Sequence, residues 1–222
     1  MPWSVEVRHE PPGAFHARDL PEPLERAAWV CEPTSPALVL GSTQRDELAD
    51  AEACRAAGID VVRRRSGGGA VLVEPGAALW IDVLLPAGDP LWLDDVAQAF
   101  LWLGQVWADA LGAVGVEARV HEGGLCTTQW SRLVCFGGLG TGEVVDADGR
   151  KLVGISQRRS RAGARFQCMA LAAWEAERLV GLLQLPPAER ADAASALVDV
   201  ARGIPVQLSA LQDAVLAQLQ LR

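Results

Sequence analysis

The sequence predicts an α+β domain in which a mixed, largely antiparallel β-sheet is flanked by helices. Short apolar runs bounded by Gly, Pro and Asp fill most of residues 37–172, which is typical of strands joined by turns. One long helical pattern, residues 94–111, interrupts these runs, and only helical patterns follow residue 174. Strands first and helices last favour an α+β domain that ends in a helical tail.

The individual elements can be assigned in chain order. Residues 1–18 are expected to form an irregular lead-in, because Pro11, Pro12 and Gly13 interrupt any regular pattern. Asp146 to Gly149 predicts the turn of a β-hairpin. The predicted helices cover residues 20–30, 44–57, 94–111, 174–184, 187–202 and 208–220. The predicted strands cover residues 37–41, 59–62, 70–73, 79–85, 116–120, 132–136, 143–145, 152–156 and 165–172.

Composition limits the function classes. The chain has 222 residues, of which 50% are hydrophobic, enough for one large globular domain. A formal net charge of −8 argues against a nucleic-acid partner. Without an 18-residue apolar run or a signal-peptide pattern, we expect no membrane partner and a cytoplasmic location. Five cysteines without a CxxC pair or zinc-ligand spacing indicate a reducing compartment and no metal site.

Positive charge is concentrated in two short windows, although the chain as a whole is acidic. Such a basic focus on an acidic protein predicts a phosphate-bearing small molecule, an acidic docking partner or a solvated surface. The two windows hold nine of the 20 basic residues, namely Arg63, Arg64, Arg65, Arg150, Lys151, Arg158, Arg159, Arg161 and Arg165.

Lys151 is the only lysine in the chain. Arginine carries a planar, always-charged fork, whereas lysine carries a compact ammonium on a flexible stem. Either one lysine remains by chance, or position 151 requires an ammonium. The predicted hairpin turn places Lys151 at the start of the returning strand.

A glycine-rich loop, Ser66-Gly67-Gly68-Gly69, lies between two predicted strands. Consecutive glycines let the backbone approach a ligand closely, and their N–H groups can form an anion-binding concavity. The loop is no Walker A motif, because no Gly-Lys-Ser/Thr follows it, and residues 137–142 lack the GxGxxG spacing. A flexible hairpin with exposed arginines is the structural alternative.

The two windows together resemble the catalytic family of lipoate-protein ligases and biotin-protein ligases. RRRSGGGAV at residues 63–71 is similar to one lipoate-ligase motif, and GRKLVGISQR at residues 149–158 is similar to the second. The resemblance implies the class II tRNA synthetase-like fold of this family. It also implies a catalytic domain at residues 1–185 and a short helical tail at 186–222, without a separate accessory domain.

The resemblance implies an ATP-dependent lipoate- or octanoate-protein ligase that uses Mg²⁺. Such an enzyme activates the acid as acyl-AMP and transfers it to a lysine of a lipoyl carrier domain, in an E2 subunit of a 2-oxoacid dehydrogenase or in the glycine cleavage H protein. A separate accessory chain is an open possibility. By position, Lys151 is the catalytic lysine. The implied acyl- and nucleotide-binding residues are Arg63, Arg64, Ser66, Gly67, Gly68, Gly69, Ala70, Gly154 and Ser156.

Two alternatives stay open. Cys135, 16 residues before Lys151, resembles the acyl-thioester nucleophile of ATP-independent octanoyl or lipoyl transferases; otherwise it is an inert, buried thiol. The second alternative is a non-catalytic family member that binds an acyl ligand or a carrier protein. Biotin ligation is less expected, because the biotin branch favours a different glycine-arginine loop.

Overall fold

A computed structural model describes residues 2–222. The described residues form ten strands and six helices, with short 3-10 turns at Asp46–Leu48, Gln98–Phe100 and Cys135–Gly137. The strands are β1 (Ser4–Glu10), β2 (Ala27–Pro33), β3 (Ala37–Leu40), β4 (Asp60–Arg63), β5 (Val71–Val73), β6 (Ala78–Pro86), β7 (Arg119–Val120), β8 (Val144–Val145), β9 (Lys151–Arg159) and β10 (Gly163–Leu171). The helices are α1 (Pro12–Ala17), α2 (Ala51–Ala56), α3 (Leu101–Ala113), α4 (Ala176–Gly181), α5 (Pro187–Leu197) and α6 (Leu208–Gln220).

The strands form two sheets. The larger has seven strands in the order β1-β2-β6-β10-β9-β8-β7, and the smaller has three in the order β4-β3-β5. In the larger sheet only β1 and β2 pair in parallel, and in the smaller only β3 and β4 do. The predicted mixed, largely antiparallel sheet flanked by helices is therefore confirmed, as is the helical C-terminal segment.

Strand β6 shows how the layers are arranged, because it is buried along nearly its whole length. Successive side chains of a strand point to opposite faces of the sheet. Ile81 and Val83 pack with helices α3 and α6, whereas Trp80 and Leu84 pack with residues of the smaller sheet. Helices α2, α4 and α5 cover the outer face of the smaller sheet. The space between the two sheets is where the site lies.

The prediction for the N-terminal 30 residues is wrong. The expected lead-in contains strand β1 and helix α1, and the expected helix over 20–30 ends in strand β2. Strand β2 lies between β1 and β6, and residues 27–31 are all buried. A run that is buried on both faces carries no period-2 alternation, so its pattern does not distinguish a strand from a buried helix.

Three further predictions need correction. The expected strand over 132–136 is irregular and leads into the 3-10 turn at Cys135–Gly137. The expected helix over 44–57 is divided, because Asp50 is extended and its side chain accepts a hydrogen bond from the Ala53 N–H, capping α2. Helix α3 begins at Leu101, later than expected, after a short 3-10 turn.

The last helix packs against the large sheet. Leu211, Val215 and Leu219 of α6 are fully buried in the core that α3 shares with this sheet. Among residues 2–222, no helix combines the length and the apolar character needed to cross a membrane.

Candidate active site

A narrow pocket lies between the two sheets, where β9 and β10 face the glycine-rich loop. Its water-accessible volume is about 40 Å³. Most of its lining is apolar, with polar groups from four different elements. The lining residues are His16, Arg64, Val71, Trp80, Cys135, Phe136, Gly154, Ile155, Ser156, Gln167, Cys168 and Met169.

The glycine-rich loop packs so tightly that two of its contacts leave no room for a side chain. A Cβ at Gly69 would lie 2.4 Å from the Val134 carbonyl carbon, and a Cβ at Gly41 would lie 1.9 Å from the Gly68 oxygen. Gly68 itself has φ +104°, a conformation that favours glycine. A Cβ at Gly67 would meet no atom within 4 Å. Gly69 and Gly68 are therefore required by packing and backbone conformation, whereas Gly67 is not.

Gly67 and Gly68 of the loop are exposed, whereas Gly69 is buried against the Val134 backbone. Within residues 2–222 none of the three donates a hydrogen bond to another part of the protein. The neighbouring Ala70 differs, because its N–H donates to the Leu133 carbonyl at 2.8 Å and its carbonyl accepts from the Cys135 N–H at 2.9 Å. Ala70 thus holds Cys135 against the loop, while the glycine amides form a candidate anion cradle.

The three arginines before the loop already have partners in the protein. Arg64 is buried, and its Nη2 donates to the carbonyls of Gly67 and Gly69, both at 2.9 Å. Arg63 donates to the Gly41 carbonyl at 2.8 Å and forms an ion pair with Asp46. Arg64 therefore fixes the shape of the loop, whereas Arg63 lies outside the pocket lining.

Lys151 is the first residue of β9, as predicted, but its ammonium is buried and bound to three protein groups. Nζ forms an ion pair with Glu143 Oε1 at 2.7 Å and donates to the carbonyls of Cys135 at 3.1 Å and Gly138 at 3.0 Å. An ammonium has three N–H donors, so all three are satisfied. The side chains of Lys151 and Glu143 are 3% and 8% exposed. The Lys151 ammonium therefore has no donor left for a ligand unless it gives up one of these partners.

Glu143 is itself held in place. Its Oε2 accepts from the Gly140 N–H at 2.7 Å, and its Oε1 accepts from the Ile155 N–H at 3.1 Å. Glu143 precedes β8, which pairs with β9, so the hairpin brings this carboxylate next to Lys151. The hairpin fold thus supplies the buried ammonium with a counter-charge.

The Lys151 side chain borders the pocket without lining it. A Cβ built at Gly154, which does line the pocket, would lie 3.3 Å from Lys151 Cε and 3.5 Å from the Phe136 ring. Nζ lies 5.1 Å from the centre of that ring. The absence of a side chain at Gly154 therefore gives the lysine a path along the wall of the pocket.

Cys135 lies in the pocket wall and is partly exposed. Its Sγ is 3.6 Å from Arg64 Nη2. Cys135 is thus a partly exposed thiol in the pocket wall, whereas Cys168 is fully buried and burial raises the pKa of its thiol.

A chain of polar side chains links the two motif regions through the pocket. Ser156 Oγ lies 3.2 Å from Ser66 Oγ, which lies 3.1 Å from Gln167 Oε1. Gln167 Nε2 lies 3.3 Å from Nδ1 of His16, whose ring stacks on Trp80 with a centroid distance of 4.9 Å. Ser66 and Ser156, which are 90 residues apart in the chain, therefore meet at one site.

A larger cleft also includes the glycine-rich loop in its walls. Its volume is about 830 Å³, and Gly68, Gln44, Arg45, Trp130 and Arg132 contribute to its lining. Among the described residues neither arginine takes part in an ion pair. The lining also contains Glu47 and Glu189, so the cleft offers two arginines outside ion pairs but no net positive charge.

The structure brings most of the predicted site residues together. Arg64, Cys135, Gly154 and Ser156 line the pocket. Ser66, the three loop glycines, Ala70 and Lys151 border it through the contacts given above, whereas Arg63 does not. Glu143, His16 and Gln167 also belong to the site, although no sequence motif includes them. A lone buried lysine does require a counter-charge, but no sequence pattern indicated that an acidic residue before the hairpin supplies it.

Comparisons with known proteins agree with this geometry. A family profile described as the lipoyl protein ligase A/B catalytic domain matches residues 16–217. The chain therefore belongs to this family, which points to an enzyme of the ligase or transferase kind. None of the curated proteins compared matches the sequence significantly.

Three solved structures show the same fold at low sequence identity. The bipartite lipoate protein ligase from Thermoplasma acidophilum, studied with its E2 lipoyl domain, has a TM-score of 0.76 at 17% identity, covering 98% of this chain and 82% of that one. Lipoate-protein ligase A bound with ATP has a TM-score of 0.70 at 16% identity, with 98% and 84% covered. LipL1 of P. falciparum in complex with lipoate has a TM-score of 0.63 at 13% identity, with 97% and 61% covered.

Proposed function

We propose that this protein is an ATP-dependent lipoate- or octanoate-protein ligase. The observation that carries the proposal is the meeting of the glycine-rich loop and strand β9 around one apolar pocket, with three glycine N–H groups without protein partners at its edge. An apolar pocket suits a medium-chain acyl group, and free loop amides suit a carboxylate or phosphate. ATP and lipoate are bound in two of the structurally similar proteins, which supports both ligands here.

The residues present fit the two substrates. The acid would lie between Trp80, Phe136 and Ile155, with its carboxylate directed towards the glycine amides. The triphosphate would lie in the larger cleft, where Gly68, Arg45 and Arg132 are available. Within residues 2–222 no cluster of three metal-ligating side chains exists. Mg²⁺ is usually bound by one or two carboxylates together with substrate phosphates, and so would arrive with ATP.

The proposed reaction has two steps. A carboxylate oxygen of the acid attacks the α-phosphorus of ATP, and the bond to the leaving pyrophosphate breaks. The amine of a carrier-domain lysine then attacks the acyl carbon, forms an amide, loses a proton and displaces AMP. Negative charge develops on the phosphoryl and carbonyl oxygens, and a preorganised ammonium stabilises such charge most effectively in a water-poor site.

Lys151 would supply that ammonium, provided that its side chain first moves. Because all three of its donors are satisfied, Lys151 must exchange at least one partner before it can contact a substrate. Its flexible stem and the open path beside Gly154 permit a short movement. Truncating Lys151 alone would leave the Glu143 charge buried and unpaired, so the simple Lys151→Ala variant is expected to be unstable as well as inactive.

ATP–pyrophosphate exchange tests the proposal. With the wild-type chain we expect exchange with lipoate or octanoate and little with biotin. A lack of exchange with every acid, while calorimetry still detects binding of an acid, would instead identify a non-catalytic binding protein. If exchange is present, transfer to an isolated lipoyl domain tests the proposed carrier partner, and any need for added cell protein would reveal an accessory chain.

Acyl transfer through Cys135 is the second candidate, because this thiol lies in the pocket wall beside Arg64. In this route the thiolate attacks the thioester of an octanoyl carrier protein, and the carrier thiol leaves. Incubation with that carrier protein should then add one octanoyl group to the wild-type chain and none to Cys135→Ala, as measured by mass spectrometry. An unmodified wild-type chain would exclude this route.

A further inference from the structure

The pocket contains a hydrogen-bond donor that has no partner. His16 Nε2 is buried, and within residues 2–222 it has no hydrogen-bond partner. The residue as a whole is only 6% exposed and belongs to the pocket lining. Buried polar groups in native proteins are almost always hydrogen-bonded, so an exception inside a pocket indicates a ligand atom.

The hydrogen-bond chain fixes what kind of partner His16 requires. The Gln167 amide oxygen accepts from the Ser66 hydroxyl at 3.1 Å, so the amide nitrogen, which can only donate, is the group that faces His16. The same nitrogen then donates to His16 Nδ1. With Nδ1 accepting, a neutral imidazole carries its proton on Nε2.

The imidazole is neutral at physiological pH. Burial and, to a smaller extent, the charges of Arg64 and Arg165 lower the pKa of His16 to about 3. A neutral ring with its proton on Nε2 presents one donor, and the side chains around it are mostly apolar. The missing partner is therefore a hydrogen-bond acceptor rather than a donor or a cation.

The donor lies towards the end of the pocket away from Lys151. The Lys151 stem passes Gly154 of β9, whereas the His16 ring stacks on Trp80 of β6. Met169 of β10 pairs with both Gly154 and Trp80, so β10 lies between the two positions. Two strand spacings amount to about 10 Å. An acid whose carboxyl group lies beside Lys151 and Cys135 would thus reach His16 with chain atoms several bonds from the carboxyl group.

From these contacts we propose that His16 selects acids whose chain carries a hydrogen-bond acceptor several carbons from the carboxyl group. The inference rests on the proposed function, because it assumes that this pocket holds the acyl chain. The favoured class is an oxo- or thia-substituted medium-chain acid over the unsubstituted fatty acid. Carbonyl oxygen is the stronger acceptor, and a ring or chain sulfur is a weak one.

A substrate pair that differs at one position tests this inference. With the wild-type chain, 7-oxooctanoate is expected to bind and to support ATP–pyrophosphate exchange at least about 10-fold better than octanoate, because octanoate leaves the Nε2–H buried and unpaired. His16→Phe keeps an aromatic ring against Trp80 but removes the donor, so the ratio between the two acids should fall to about one. His9→Phe is the matched control, because His9 is exposed on β1 and pairs with Glu32; it should keep the wild-type ratio.

A second readout does not depend on the variant folding. The chain has only three histidines, so nitrogen NMR of the wild-type protein can resolve His16. We expect a neutral ring protonated at Nε2, whose signal shifts with 7-oxooctanoate and hardly with octanoate. The opposite tautomer, or equal shifts with both acids, would overturn the inference.

The outcomes separate this inference from the proposed function. Exchange with both acids at equal efficiency would overturn the role of His16 and leave the ligase proposal standing. An equal loss for both acids in His16→Phe would also overturn it, because His16 would then act on a part that the two acids share. Absence of exchange and binding with every acid would overturn both.

Discussion

The two ends of the pocket differ in how their nitrogen donors are satisfied. Lys151 and His16 are both nearly inaccessible to solvent. The Lys151 ammonium has three partners, one of them the Glu143 carboxylate, whereas the His16 imidazole has a partner for one nitrogen only. The Lys151 ammonium thus has no free donor, whereas the Nε2–H of His16 is free to donate to a ligand. Recognition would be preorganised at one end, whereas catalysis requires a rearrangement at the other.

Physical reasons favour this division. A buried ammonium without a counter-charge costs several kcal/mol, whereas one unpaired neutral N–H costs about 1–3 kcal/mol. A fold can therefore tolerate an open imidazole between substrate-binding events but not an open ammonium. The comparison can be tested at each end.

The largest expected effect is at the Lys151–Glu143 pair. Lys151→Met should lower the free energy of unfolding by about 3–5 kcal/mol, because it leaves a buried carboxylate unpaired. The double variant Lys151→Met/Glu143→Gln should recover most of that loss, since no charge remains. Urea unfolding of the two variants measures the difference. Equal losses in the free energy of unfolding for the two variants would show that the unpaired Glu143 carboxylate is not the cause of the destabilisation.

The next effect concerns the loop between the two ends. Gly69→Ala should destabilise the protein by at least about 2 kcal/mol, because the new Cβ would collide with the Val134 backbone. Gly67→Ala is the matched control, with a change within about 0.5 kcal/mol, because its Cβ meets open space. Thermal unfolding distinguishes them, and similar Tm values would contradict the close packing at Gly69.

The His16 end predicts a pH dependence. The folded-state pKa of His16 is about 3, whereas an unfolded histidine titrates near 6.5. Between these values the unfolded chain binds a proton that the folded chain does not, so stability falls as the pH is lowered, by about 1.4 kcal/mol per pH unit from this group. His16→Phe should show a shallower dependence between pH 6.5 and pH 3 and the same dependence above pH 7. Parallel curves over the whole range would contradict the burial of a neutral imidazole.

The smallest effect is expected at Cys135. If the acid is activated by ATP, Cys135→Ala should change the exchange rate by about twofold or less, because the thiol touches the substrate without taking part in the chemistry. The assay is the same exchange reaction at saturating acid. A loss of several hundredfold in the exchange rate would show that the Cys135 thiol takes part in the reaction.

Much of the site could be predicted from the sequence, because residues 63–71 and 149–158 are two continuous motifs whose conformation depends on neighbouring residues in the chain. Gly68 and Gly69 adopt a conformation and a packing that only glycine allows, and the turn before Lys151 sets where β9 begins. The partner of Lys151 could not be found this way, because it depends on the pairing of β8 with β9, whose register shifts at residues 144 and 145.

The contribution of His16 depends on contacts that are still more distant in the chain. Its partner Gln167 is 151 residues away. The N-terminal segment that carries His16 was expected to be irregular, and β2 was mistaken for a helix because it is buried on both faces. Local sequence patterns predict the backbone conformation at the site. The side chains that line the site depend instead on how the two sheets pack against each other.

The most direct measurement compares two variants in ATP–pyrophosphate exchange with lipoate or octanoate. Glu143→Gln and Lys151→Met/Glu143→Gln differ only at residue 151, and neither leaves a buried carboxylate at position 143. Because Glu143→Gln leaves the Lys151 ammonium with an amide oxygen in place of its counter-charge, exchange rates are normalised to the folded fraction of each variant measured by circular dichroism. We expect Glu143→Gln to retain exchange and the double variant to lose about 100- to 1000-fold in rate. Equal exchange by the two variants would show that the single lysine of this chain is a structural counter-charge and not the group that stabilises acid activation.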